Sequence, residues 1–261
     1  MGSLDKNMRW RDKIEKDEVD EKDEVDEVDR MLKVILWDVD GTLLDFEVAE
    51  EAAIHNLFRQ FNIGTCTNEM LERYKEINRF YWERLEKGVV SREKVLIGRF
   101  QDFFQEMGID RSLAEDFNKA YQSALGDTIA FRDNSYELVK QLKRQVKQYV
   151  VTNGTGVAQE KKLRLSGLGQ LMDGVFISEE IGAEKPSLKF FNKVFESIIP
   201  AEKDEIMIIG DSLTSDIRGG LNAGIRTCWY NPKKVAVNRA IPAEYMIEDL
   251  NEILPMVAEW R

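Results

Sequence analysis

From residue 135 to 230 the chain keeps switching between two rhythms, and that switching narrows the folds open to it. "QYVVTNG", "DGVFIS", "EIMIIGD" and "RTCWY" are short runs of β-branched, aromatic and other apolar residues, most of them closing on small polar or acidic ones. Runs of this length and makeup read as strands. Before and between them, "ELVKQLKRQV", "GVAQEKKLRLSGLG", "SLKFFNKVFESII" and "TSDIRGGLNAG" read as helices. Strands that alternate with helices pair in parallel, with helices on both faces. Val34 to Trp37, "VILW", supplies an earlier strand of the same kind. The expectation is an α/β fold with a doubly wound parallel sheet.

Between that first strand and the rest lie about 85 residues with helical spacing and no convincing strand. Helices are expected over 48–61, 68–86, 91–107 and 112–126, punctuated by Gly88, Gly108 and Gly126. The chain therefore divides into a core of 31–45 and 131–261 and an inserted α-helical cap domain of 46–130. Residues 1–30 differ in kind: they hold 7 basic and 12 acidic residues, net −5, and repeat "KDEVDE". Such a stretch cannot bury enough apolar surface to fold alone, so it reads as a disordered acidic tail or an added extension, with Met31 a plausible native start.

The whole chain carries a net charge of −11, which argues against nucleic-acid polymers as partners. No apolar run is long enough to span a membrane, and the charged N-terminus is not a secretory signal. Cys66 and Cys228 have no metal-type spacing and read as free thiols of a cytoplasmic protein. His55, the single histidine, sits in a helical pattern and reads as a surface or packing residue.

Ligands of open parallel sheets bind beyond the carboxyl ends of the strands. The first strand runs into Asp38 and Asp40, which share a face if the backbone stays extended, and like charges there resist ionising. "QYVVTNG" ends in Thr152, Asn153 and Gly154; Lys185 follows "DGVFIS"; "EIMIIGD" ends in Asp211, with Ser212 next and Asp216 close behind. Clustered carboxylates are tolerable when a hard cation such as Mg2+ holds them. A carboxylate is also a competent nucleophile towards phosphorus, and a lysine and a hydroxyl can hold phosphate oxygens. A calcium loop is the rival reading of "DVDG". It needs glycine at loop position six and glutamate at twelve, where this chain has Leu43 and Ala49.

"DVDGT" at 38–42, Thr152, Lys185 before Pro186, and "GDSLTSD" at 210–216 together resemble the four motifs of the haloacid dehalogenase superfamily, in order, over about residues 32–250. The resemblance implies a Rossmann-like core and a helical cap that closes over the site. It makes Asp38 the nucleophile of an aspartyl-phosphate pathway and Asp40 the acid and base. Mg2+ would sit on Asp38, the Asp40 carbonyl and Asp211. Thr152, Asn153 and Lys185 would hold phosphate, with Asp216 and Thr42 bracing the site and Phe46 and Glu47 placed to face substrate. Asp40 two residues after Asp38 favours phosphate chemistry over dehalogenation.

"TLLDF", "VTNG", "ISEEIGAEKPSLKFF" and "GDSLTSDIRGGLNAGIRTCWYNP" resemble the branch that contains bacterial pyrimidine 5′-nucleotidases. That implies a small phosphorylated metabolite, a nucleoside 5′-monophosphate, as substrate. One departure is "FRDNSYELV" at 131–139, where relatives usually carry Pro-Gly before the helix; Asn134 and Ser135 can start a helix there equally well. The alternatives are a sugar phosphatase or phosphomutase of the same superfamily, and a non-catalytic phosphate-sensing or scaffold protein on the same fold. A phosphonate hydrolase would need a buried cap lysine, and nothing marks Lys75, Lys87 or Lys94 as one. Tyr74, Ile77, Tyr81 and Leu85 follow helical spacing and read as cap core.

Overall fold

The structure, a computed structural model, describes residues 31–259, so the tail expected over 1–30 lies outside the described residues. Six strands form one parallel sheet: β1 (Val34–Trp37), β2 (Lys147–Thr152), β3 (Gly174–Ile177), β4 (Ile206–Gly210), β5 (Arg226–Tyr230) and β6 (Tyr245–Ile247). Their order is β3-β2-β1-β4-β5-β6, so the chain builds outward from β1 in one direction and then from β4 in the other. This is the Rossmann-like α/β fold of the expectation. β1 pairs Trp37 with Val150 on one side and with Ile209 on the other. A central strand covered on both faces must be apolar at every position. β1 is fully buried, with Ile35 and Trp37 in one cluster and Val34 and Leu36 in the opposite one.

Between β1 and β2 come α1 (Phe46–Gln60), α2 (Asn68–Glu86), α3 (Arg92–Met107), α4 (Ala114–Ala124) and α5 (Ser135–Leu142). The first three start where a side chain accepts orphan amide protons: Asp45 from Glu47 and Val48, Thr67 from Met70, Ser91 from Lys94. α1 to α4 pack an apolar cluster of their own around Phe58, Tyr74, Phe100, Phe104 and Phe117. Tyr74, Ile77, Tyr81 and Leu85 belong to it, so they fill the helical insert rather than face a ligand. The insert leaves and rejoins the core through one short neck, where the Asp45 amide donates to the Ala130 carbonyl at 2.8 Å and Arg132 to Leu43 at 3.1 Å.

The remaining helices are α6 (Gly156–Ser166), α7 (Ser178–Ile181), α8 (Leu188–Ser197), α9 (Arg218–Ala223) and α10 (Ile253–Glu259). The single helix expected over "TSDIRGGLNAG" is instead a π-helical turn, Leu213–Ile217, followed by the short α9. The wide turn points Asp216 back at the sheet, where its Oδ2 accepts from the Ser212 amide at 3.1 Å. Gly210 makes room for it, since a Cβ there would stand 2.2 Å from the Asp216 carboxyl carbon. Among the described residues no helix is long and apolar enough to cross a membrane. Cys66 and Cys228 are free and buried.

Candidate active site

The carboxyl ends of β1 and β4 lie side by side at the point where the strand order reverses, the place where such sheets leave a crevice. Asp38 follows β1, and its amide donates to Ile209 at 3.0 Å, which extends the ladder by one rung. Asp211 follows β4. Between them Gly41, at φ +96°, carries the chain through a tight turn. A side chain there would be strained, and its Cβ would lie 2.5 Å from Asp211 Oδ2.

Lys185, fully buried, spends its three protons on Asp38 Oδ1 (2.8 Å), Asp216 Oδ1 (2.7 Å) and the Val151 carbonyl (2.7 Å). Burial alone would lower its pKa, but Asp216 and Asp38 together hold it above the ordinary lysine range. Thr42 Oγ1 donates to Asp38 Oδ2 at 3.0 Å and accepts from the Asp211 amide at 3.1 Å. Burial pushes the Asp38 carboxyl up to about 7, against the pull of Lys185 and with Asp216 adding to the rise. Burial, then Asp38 and Asp216, push Asp211 well above the usual carboxylate range. Oxygens of Asp38, Asp211 and Asp216 lie within 4.8 Å of one another. Three acids against one ammonium leave an excess of negative charge on hard oxygen ligands, which suits Mg2+.

Asp40 stands apart. The expectation that it crowds Asp38 fails because the strand ends at Trp37 and Asp40 sits in the turn, bridged to Leu44. Its carboxylate turns to α6, where it accepts from Lys162 Nζ at 2.5 Å and Gln159 Nε2 at 2.6 Å. The acids that crowd Asp38 are Asp211 and Asp216; the Asp40 side chain lies outside that cluster, and the expected metal set draws on its main-chain carbonyl instead. Asn153 also differs in detail. Its side chain holds the main chain of Lys185 in both directions at 2.9 Å, so only its main chain is left for a phosphate oxygen. Thr152 is buried and accepts from the Gly154 amide at 3.0 Å.

Asp38, Asp40, Thr152, Asn153, Lys185, Asp211 and Asp216 open onto one cavity of about 830 Å3 between the sheet and the helical insert. Phe46 and Glu47 line it, Phe46 with the Lys162 ammonium 5.1 Å from its ring centre and Glu47 paired with Lys233. Several residues that line this cavity or bond to its lining were not singled out in the sequence. Arg92, the first residue of α3, donates to the carbonyls of Asn153 (3.1 Å) and Gly154 (3.4 Å) and to Ser178 Oγ (2.5 Å), tying the insert to the loop after β2. Glu86 reaches the cavity from the end of α2, and burial pushes it up to about 7. Glu50, Asn78, Arg99 and Gln122 belong to the wall on the insert side.

The fold and this rim can be set beside known proteins. Residues 35–230 match the haloacid dehalogenase-like hydrolase pattern. The chain belongs to that family. YfnB of Bacillus subtilis (strain 168), named as a HAD-hydrolase with no substrate attached, is 40% identical over 224 residues, covering 85% of this chain and 93% of that protein. Its crystal structure in an orthorhombic form, bound to magnesium and described as revealing interdomain movement, superposes with a TM-score of 0.81 at 37% identity, over 87% of this chain and 99% of that one. PynA of Streptococcus pneumoniae (strain ATCC BAA-255 / R6), a pyrimidine 5′-nucleotidase, is 32% identical over 226 residues, covering 85% of this chain and 93% of that protein.

Proposed function

We infer that this chain is a Mg2+-dependent phosphatase that works through an aspartyl-phosphate on Asp38, and that its substrates are nucleoside 5′-monophosphates. The observation that carries the reading is Asp38 itself: a carboxylate at the strand switch point, fixed by Lys185 and Thr42 on its two oxygens and opening onto the cavity. A carboxylate so held is pre-aimed, and aiming is most of what phosphoryl transfer asks of a protein.

Asp38 attacks phosphorus, forming an oxygen–phosphorus bond as the ester oxygen leaves. Asp40 gives that oxygen a proton. In the second half Asp40 takes a proton from water, the water oxygen adds to phosphorus, and Asp38 is released with free phosphate. Gln159 and Lys162 fix Asp40 for both halves. Lys185 and the main chain after Thr152 face the phosphoryl oxygens. Asp38, Asp211 and the Asp40 carbonyl would hold Mg2+, with Asp216 beside them, and the ion supplies charge cancellation on the phosphoryl group. The helical insert acts as a cap that excludes water, with Phe46 and Glu47 at its hinge side.

The nucleotide reading is supported by the 32% identity to PynA and by a cavity of the size that takes drug-sized ligands, about 300–1,000 Å3. The phosphate groups cannot choose among monoesters, so selectivity belongs to the cap wall. The test compares kcat/KM for UMP, dTMP, AMP, glucose 6-phosphate and β-glucose 1-phosphate, with Asp38→Asn as control. A nucleotide preference of roughly tenfold to a hundredfold is expected, and Asp38→Asn should lose turnover by about a thousandfold or more. A hexose phosphate that wins, or an isomerised glucose 1-phosphate, replaces the nucleotidase by a sugar phosphatase or a phosphomutase. Turnover by Asp38→Asn within about tenfold of wild type removes Asp38 as nucleophile.

A further inference from the structure

The insert side of the cavity is polar where an apolar wall would cost less to bury. Its buried polar residues come one from each of four insert helices: Glu50 from α1, Asn78 from α2, Arg99 from α3 and Gln122 from α4, all lining the cavity. Glu50 Oε1 accepts from Asn78 Nδ2 at 2.9 Å and from Tyr121 Oη at 3.1 Å. Arg99 donates through Nη1 to Asn78 Oδ1 at 2.7 Å and through Nη2 to Asn118 Oδ1 at 3.1 Å.

Two atoms of this network are unspent. No described residue donates to Glu50 Oε2, and Arg99 Nε–H, in a side chain only 2% exposed, has no acceptor. A buried polar network serving stability alone would be fully satisfied, and apolar residues of similar size would often do as well. An acceptor on a buried residue and a buried donor, both left open beside a cavity, match a ligand that brings the complementary pair.

We propose that Glu50 Oε2 accepts an N–H from the leaving group and, with Arg99 beside it, selects a pyrimidine whose edge sets a ring N–H next to a carbonyl, the imide edge of uracil or thymine. The assignment rests on the nucleotidase reading and names the residues that read the base. Cytosine presents an unprotonated ring nitrogen at the same place, so acceptor would meet acceptor. Burial pushes the Glu50 carboxyl up to about 7, so a donor arriving at Oε2 favours the ionised form that holds it best.

Glu50→Gln inverts one atom of this wall and leaves its size unchanged. The inner position already receives two donors, so the new carbonyl takes it and the amide N–H2 faces the cavity. UMP and CMP share phosphate, sugar and ring size, so damage to the fold scales both alike and only the base edge moves their ratio. At pH 8 the wild type should favour UMP over CMP by about tenfold or more. Glu50→Gln should lower that ratio by about tenfold or more, whatever it does to the rate on p-nitrophenyl phosphate. A UMP:CMP ratio that Glu50→Gln leaves unchanged overturns the assignment, as does an equal loss on UMP, CMP and p-nitrophenyl phosphate. A wild type that favours nucleotides over glucose 6-phosphate while the ratio stays fixed in the variant sinks Glu50 alone. A wild type that prefers the hexose phosphate brings down the nucleotidase reading and this one with it.

Discussion

A carboxyl that is 3% exposed and bonded to neutral partners is cheaper to keep protonated than ionised, and Glu50 is in that position. Its pKa is pushed from 4.5 to about 7, first by burial, against the weaker pulls of Tyr121 and Arg99. Between those two values the folded chain holds a proton that the unfolded chain has given up. Stability therefore falls as pH rises through that window, at about 1.4 kcal/mol per unit while both conditions hold. Glu50→Gln removes this slope whatever its effect at any single pH. The wild-type melting temperature minus that of Glu50→Gln should fall between pH 5 and pH 7 by roughly 4–8 °C, for about 2 kcal/mol in a chain of this size. Parallel melting curves across that range would mean that Glu50 titrates as an ordinary surface acid.

Elements decide which of these residues meet, and that is where sequence reading divides. The strand ends were legible because a parallel sheet delivers every strand's carboxyl end to one rim: Asp38, Thr152, Lys185 and Asp211 reach it from four separate segments. α2 runs Asn68–Glu86 as its spacing predicts, because Thr67 caps it. β6, only three residues long at the sheet edge, gives no periodic signal. Glu50 was invisible for another reason. In "EVAEEAAIHN" it stands beside Glu51, and only the packing of four helices makes one buried and the other exposed. Arg92 looks like any charge near a helix start, yet it spans from the insert to the Asn153 and Gly154 carbonyls. Those carbonyls belong to the loop proposed to face the phosphoryl group, so Arg92 positions a loop rather than a substrate. Arg92→Ala should lower kcat/KM by about tenfold, the equivalent of one or two lost charge-assisted hydrogen bonds. The loss should be equal on UMP, CMP and p-nitrophenyl phosphate, because the loop meets only the group they share. A change in selectivity, or no change in rate, would place Arg92 elsewhere in the mechanism.

At the scale of the whole molecule the excess of acid at the sheet's rim is a standing cost, and a bound cation offsets it. Asp38, Asp211 and Asp216 face one Lys185, and burial with mutual repulsion raises the pKa of Asp38 and Asp211. An ion that binds the folded chain and not the unfolded one stabilises it by RT ln(1 + [L]/Kd). For 10 mM Mg2+ and a Kd on the order of 0.1 mM that is about 2.7 kcal/mol, or roughly 5–10 °C in melting temperature. Ca2+ also takes oxygen ligands, so it should raise the melting temperature too, but its larger and looser shell should leave turnover blocked. Asp211→Asn, which keeps the shape of the rim, should lose most of the Mg2+-dependent shift and most of the activity together. Thermal scans with EDTA, Mg2+ and Ca2+, paired with p-nitrophenyl phosphate rates, separate the two roles of the ion. Full turnover after dialysis against EDTA, or a melting temperature indifferent to 10 mM Mg2+, would mean that Lys185 alone balances the three acids and that the chemistry at Asp38 proceeds without a metal.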